Sequence, residues 1–571
     1  MTGVAQAMQE FGLDGTGVKI GIVDTGVDYN HPELGACWKT EGCPWQFGED
    51  FIGDKYDSSS DNPIIEPNDT PMDCDGHGTH VSGIIGARGP QVQGVAPGAT
   101  LGMYRIFSCP VDDTSYTDDA IILQGMTAAY EDGYEGVLVI AANGNEGYDG
   151  MLTSSSPAIG QMSDFSSFGP SPDLDLSPLI SAPGGDIWST YPVEMDSYAS
   201  LSGTSMATPY VAGCVALLKQ KYPELSVSQI RQVLINSASP LSDPTSRLKI
   251  NPYRSGAGLV NVYNALRTRV LIDPPYLSIN QTAWTQPSDS TDATTQGVRI
   301  STHMLNFTNT DLKKGVNVIL THDAASSLTV YDKDGSYSQS ILDNYIVPTW
   351  PNNTTPVPQN TIPQAILSNE AQYVPAGQTM QFNVSIILPF GLAESERWYF
   401  GGFFNFTIMF DHEDYTMQHV VPYAGYNGDF SKINVLSPLS MGLPAFMDSE
   451  GNFIEDISTA KFDSENSTYL AFGLDVPTSF MYSVFIDSKN ETVGYAADGN
   501  GVYLPRTLPT YDPYFRFTVN KTILAGDDFS QSAILPDGKY RLRIAVLRPF
   551  GDAGNEDDFE MWDSDEITFG E

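Results

Sequence analysis

Over the first 268 residues of this 571-residue chain, short apolar runs alternate with helix-like segments. "VKIGIVD" reads as a buried strand and is followed by a helix around "HGTHVSGIIGA". Strand "ATLGMYRIF" and helix "DDAIILQGMTAAYED" come next, then the apolar run Val137 to Ala142, and later the helices "SMATPYVAGCVALLKQKY" and "VSQIRQVLINSA". Strands that are apolar throughout, rather than at alternate positions, must be covered on both faces, and helices between them allow parallel pairing. Residues 1–268 are therefore expected to form an α/β domain on a doubly wound parallel sheet.

The texture changes after Leu271. "MQFNVSII" alternates Met380, Phe382, Val384 and Ile386, and "YRLRIAV" alternates Leu542, Ile544 and Val546 behind the turn Pro536-Asp537-Gly538. Period-two strands with turn punctuation and little helix predict antiparallel sandwiches. "VPTWPNNTTPVPQNTIP" reads as a loop within this part, and a boundary after "VVPYAGYNGD" divides it into modules at 269–432 and 433–571.

With 70 acidic against 28 basic residues the formal charge is -42. Phosphate neutralisation requires a basic surface, so nucleic acid is excluded as a partner, and anionic membrane surfaces are disfavoured. No apolar run reaches the roughly 18 residues of a membrane span. Asn-x-Ser/Thr acceptors are dense: Asn68, Asn280, Asn306, Asn352, Asn353, Asn383, Asn405, Asn466, Asn490 and Asn520. They predict a secreted glycoprotein. "MTGVAQAMQEFG" lacks the basic and apolar regions of a signal peptide, so a targeting segment is expected upstream. Cys37 and Cys43 are near neighbours, Cys74 and Cys109 can close a second loop, and Cys214 on an apolar helix face reads as a buried thiol.

Three blocks carry chemistry. Asp24 ends a strand in "IVDTGVD", His77 opens a helix in "DCDGHGTHVSG", and Ser205 opens a helix in "LSGTSMATPYVAG". Singly, Asp24 reads as a turn residue and the other two as helix caps. Together, they can meet at the carboxyl edge of a parallel sheet, where ligand sites form. A serine is a weak nucleophile until an imidazole takes its proton and a carboxylate orients that imidazole. A helix N-terminus adds N–H groups facing a developing oxyanion. "HGTH" lacks a third ligand pattern, so no metal site is assigned to His77 and His80; His80 reads as packed in its helix, and Asp28 and His31 as structural.

In the order Asp, His, Ser, with Gly76, Gly78, Gly203, Thr204, Ala207 and Pro209 around them, these blocks resemble the subtilisin-like serine peptidases. The resemblance implies a subtilisin-type sheet, an Asp24–His77–Ser205 triad, and cleavage of protein or peptide substrates through an acyl-enzyme on Ser205. "AANGNEG" resembles the family's Ala-Ala-Gly-Asn block, which makes Asn145 the oxyanion donor. Ala141, Ala142 and Asn143 would lie beside the substrate, with Asn143 where a small alanine is common. No cofactor is implied; calcium sites occur in the family, but none can be placed here. A monomer is expected. The cysteine-bearing loops are most similar to fungal secreted members, in which fibronectin type III-like domains follow the peptidase.

The chain also departs from that pattern. Gly133-Tyr134-Glu135-Gly136 joins the helix before it almost directly to the apolar run, omitting a central strand and the Ser-x-Gly turn that walls the substrate pocket. "SSSPAIGQMSDFSSFGP" marks a second omission, and the missing propeptide a third. The sheet is thus expected to lack one or two strands, closing only if "VLVIAA" pairs with "VKIGIVD". The alternative function is a catalytically impaired pseudopeptidase, or a truncated product, acting as a secreted binding protein.

Overall fold

The computed structural model describes residues 2–570 apart from 59, 61–62, 112–113, 134–137, 146–161, 164, 168, 172–173, 244–246, 280–283, 286–298, 329–360, 390–397, 437–442, 456, 458–459, 461, 463–467, 498, 505–513 and 526–530. The expected joint at 133–136 beyond Gly133, most of "SSSPAIGQMSDFSSFGP", nearly all of the Pro/Asn/Thr loop, and Asn280, Asn352, Asn353 and Asn466 lie outside the described residues.

The first part runs α1 (Val4–Phe11), β1 (Lys19–Asp24), β2 (Trp45–Asp50), α2 (His77–Gly86), β3 (Thr100–Arg105), α3 (Asp119–Gly133), β4 (Ile187–Thr190), β5 (Tyr198–Leu201), α4 (Thr204–Lys221) and α5 (Val227–Ser237). Strands β1, β3 and β2 form a parallel sheet in that order. Successive side chains on β1 go to opposite faces, as pleating requires. Ile22 joins Leu101 and Met103 against Val81 and Ile84 of α2 and Met206 of α4, while Val23 packs with Ile106 and Ile121 of α3. Helices therefore cover both faces, as the alternation predicts.

The apolar run corrects that expectation. Leu138 to Ala142 form no strand; Leu138 packs beside a core containing Cys214 and Leu217, and Val139 is 65% exposed. A run of apolar side chains becomes a strand only when a neighbour completes its ladder, and none does here. The expected pairing of "VLVIAA" with "VKIGIVD" is absent among the described residues, and β1 is left as an edge strand. Instead of a wide doubly wound sheet, the described domain has three strands in its parallel sheet, with β4 and β5 as a separate antiparallel pair.

Beyond residue 268 the described structure is almost wholly antiparallel. Strands 300–309 and 379–387 face strands 316–324, 399–410 and 416–426 across a core holding Phe307, Phe382, Phe404 and Phe406, all fully buried. Phe382, Val384 and Ile386 are buried as their alternation requires. Met380 is not: it is 36% exposed, because the first residues of its strand project past the core. Further on, an eight-stranded and a three-stranded sheet enclose Leu470, Phe485, Leu542, Ile544 and Val546.

Helix α5 lies directly on the first of these β layers. Gln232 donates to the Ile272 carbonyl, and Asn236 donates to the carbonyls of Pro275 and Val420 at 3.0 and 2.8 Å. Disulfides join Cys37 to Cys43 and Cys74 to Cys109, while Cys214 is free and buried. No helix among the described residues is long and apolar enough to cross a membrane.

Candidate active site

The register places Asp24, Arg105 and Asp50 in one row at the carboxyl end of the sheet. Arg105 is 2% exposed and its guanidinium donates to Asp50 Oδ2, Asp54 Oδ1 and the Met72 carbonyl at 3.3, 2.8 and 3.1 Å. A buried guanidinium needs this many partners. It ties the sheet edge to the loop that leads into α2.

Helix α2 begins beside that edge. Gly76 has φ 108°, and a side chain there would run into the Tyr191 ring. A Cβ on Gly78 would lie 2.1 Å from the Gly26 carbonyl oxygen, so the glycine allows α2 to approach the turn after β1. The approach brings His77 Nδ1 to 2.8 Å from Asp24 Oδ1. The Thr25 amide donates to the same oxygen at 2.7 Å, which fixes the carboxylate plane. The His77 ring is 35% exposed and the Asp24 side chain 14%. Burial disfavours the imidazolium, but the Asp24 hydrogen bond and the charges of Asp24, Asp75 and Asp73 outweigh it, so the His77 pKa lies above the ordinary imidazole value.

Ser205 is the second residue of α4, which packs on α2. Pro209 sits four residues on and has no N–H, so the Ser205 carbonyl lacks its helical donor. Asn145 caps this end: its Oδ1 accepts from the Thr204 amide at 2.8 Å and from Thr204 Oγ1 at 3.0 Å. With Oδ1 engaged, Nδ2 is the half of the amide left to donate. No hydrogen bond joins Ser205 to His77 among the described residues.

Ala141, Ala142 and Asn143 line a cavity of about 630 Å³ with Gly203, Thr204 and Ala207. Asn143 is held on both sides, donating to the Ser167 carbonyl and accepting from Ser177 Oγ. The expected site residues thus fall into an Asp24–His77 pair, an Asn145–Thr204 cap next to Ser205, and a cavity wall. His80 is buried with Nε2 at 2.9 Å from the Ile187 carbonyl, and Asp28 and His31 are buried as well. Among the described residues, the one compact set of metal-type side chains is Asp54 with Cys74 and Cys109, whose sulfurs are joined to each other.

One residue beside the site carries no warning in the sequence reading. Asp73 is buried between the Asp24 turn and α2, and its only signal is its place four residues before His77.

Comparison with known proteins bears on the family to which the first part of the chain belongs. A sequence model described as the Subtilase family matches residues 15–135 and 124–258. Subtilisin DY of Bacillus licheniformis is 31% identical over 294 residues, covering 45% of this chain and 94% of that protein. Subtilisin Savinase of Lederbergia lenta is 33% identical over 300 residues, covering 46% and 96%. The PI-type proteinase of Lactococcus lactis subsp. cremoris is 29% identical over 367 residues, covering 62% of this chain and 17% of its own length. The chain belongs to the subtilase family of serine endopeptidases.

Proposed function

We propose that this chain hydrolyses peptide bonds in proteins through an acyl-enzyme on Ser205. The observation that carries the reading is the 2.8 Å bond from His77 Nδ1 to Asp24 Oδ1 at the start of α2, the helix against which α4, with Ser205 in its first turn, packs. That bond fixes the tautomer that leaves Nε2 able to accept a proton. In the proposed sequence, His77 takes the Ser205 proton as Oγ attacks the substrate carbonyl, and Asp24 stabilises the resulting imidazolium. The oxyanion is met by Asn145 Nδ2 and the Ser205 backbone N–H. His77 then returns the proton to the leaving amine, and water repeats the cycle to release the acyl group. The 630 Å³ cavity beside Gly203 is read as accommodating part of the substrate, with Ala141 and Ala142 on its wall. No metal or cofactor enters this scheme.

The reading extends to a secreted, glycosylated monomer with a peptidase domain over 1–268 and β modules over 269–432 and 433–571. Its support is that Asn68, Asn383 and Asn490 are exposed and Asn306, Asn405 and Asn520 half-buried, so none of these acceptors is sealed in a core. The fungal and fibronectin type III-like assignments rest on the likeness of the cysteine-bearing loops to fungal secreted members, in which such domains follow the peptidase.

A second reading has its own observation. Among the described residues strand β1 is an edge, and the family match is in two pieces that overlap at 124–135, at the end of α3. Both favour a shortened product whose pocket lacks a wall and whose β modules do the binding. Labelling with a fluorophosphonate, read by intact mass with Ser205→Ala as control, separates the two. Labelling of the parent alone supports the peptidase. A folded parent that stays unlabelled refutes it for this chain.

A further inference from the structure

We propose that Asp73 is a positioning residue for the Asp24–His77 pair, an inference that rests on the triad reading above. The residue is 6% exposed and its carboxylate receives five donors. Oδ1 accepts from Thr25 Oγ1 at 3.1 Å, the Asp75 amide at 3.0 Å and the Gly76 amide at 2.9 Å. Oδ2 accepts from the Thr79 amide at 2.9 Å and Thr79 Oγ1 at 2.5 Å. The donors come from two elements: Thr25 follows Asp24 on the turn after β1, and the others bracket His77 on the way into α2.

The link to the pair is direct. Thr25 Oγ1 donates to Asp73 and accepts from the Gly78 amide at 2.8 Å, while the Thr25 amide donates to the Asp24 oxygen that His77 holds. Asp73 thus fixes, through one threonine, both partners of the 2.8 Å contact. A residue that merely capped α2 would not need the bond to Thr25. Five donors suit the anion, because a carboxylate accepts at both oxygens whereas a neutral amide offers one acceptor and two donors. Burial pulls the other way, and its desolvation raises the Asp73 pKa.

The groups that face His77 are Asp24 at the end of β1, Asp73 and Asp75 on the loop before α2, and His80 within α2. In Asp73→Asn the amide must turn two N–H groups toward Thr25 or Thr79, and one negative charge near the imidazole is lost. Two consequences follow for His77: a lower titration midpoint and a looser orientation.

The test uses the full chain labelled with ¹⁵N-histidine. His77→Gln assigns the resonance, and NMR titration follows it in the parent, Asp73→Asn and Thr25→Val. In folded Asp73→Asn the His77 midpoint is expected at least about 0.5 pH unit lower. Fluorophosphonate labelling at pH 8 is expected to slow about tenfold or more, since small misplacements of reacting groups carry penalties of this size. Thr25→Val keeps the charge and cuts the link; it is expected to slow labelling while moving the midpoint by less than about 0.2. A folded Asp73→Asn chain with the parent's His77 midpoint overturns the proposal. Should that variant not fold, a Thr25→Val chain with unchanged labelling and an unchanged His77 Nδ1–H resonance overturns it. Absence of labelling in the parent refutes the peptidase reading instead, and the titrations alone then decide the role of Asp73.

Discussion

Acid should weaken the joint between the first 268 residues and the β layer through a single histidine. His419 lies on strand 416–426, is 1% exposed, and has its Nε2 at 2.6 Å from Thr268 Oγ1. Its Nδ1 is buried with no hydrogen-bond partner among the described residues, and burial of a charged ring outweighs the help that the Gln418 backbone gives it. Burial lowers its pKa from 6.5 to about 4. Above pH 6.5 folded and unfolded chains both carry a neutral ring, and the full stability is present. Between 6.5 and 4 the unfolded chain takes up a proton that the folded chain refuses, so stability falls as pH falls. At 1.36 kcal/mol per pH unit, the loss across this window is about 3 kcal/mol. That is a large part of the roughly 5–15 kcal/mol by which domains are stable. Urea denaturation from pH 7.5 to 4, comparing the parent with His419→Gln, reads this directly. The glutamine can still bond Thr268 but does not titrate. His322, also lowered to about 4, is present in both chains and cancels. The difference between the two stabilities should change by about 3 kcal/mol across the window. Parallel curves would refute the assignment to His419.

Asp24→Asn should lower fluorophosphonate labelling by about 10⁴-fold, the size of the effect when this carboxylate is neutralised in other serine peptidases; a loss below tenfold argues against a working triad. Because the His77 pKa is raised, labelling of the parent should rise with pH through a midpoint above 6.5, seen in a rate–pH profile. Removing Cys74–Cys109, which spans 35 residues, should lower stability by about 4 kcal/mol, against about 2 for Cys37–Cys43, which spans 6, when each Cys→Ser pair is compared by thermal unfolding. Phe307→Ala should destabilise by about 3–5 kcal/mol in urea, since its ring is fully buried and stacks at 5.8 Å on Phe406.

Much of the candidate site was legible because the residues proposed for it are locally marked. A strand ending in aspartate and helices opening on Gly-His-Gly and Gly-Thr-Ser carry their constraints in neighbouring small residues, whose spacing a close backbone approach dictates. The run ending at Ala142 misled for the opposite reason. Its apolarity is a local property, but its strand character depends on a ladder partner elsewhere in the chain. Met380 failed in the same way, since alternation cannot show where along a strand the covering layer stops. Asp73 was invisible because an aspartate in a polar loop resembles any solvated turn residue. Only the fold reveals that its oxygens face inward.

The amides of Gln232 and Asn236 have one more implication. They satisfy carbonyls that belong to a different layer, so the seam between α5 and the strands after residue 268 is a fixed joint rather than a hinge. The first β layer is therefore joined to the α/β part by side-chain bonds to its backbone as well as by the covalent chain, and cutting the chain near residue 268 should leave the two parts associated.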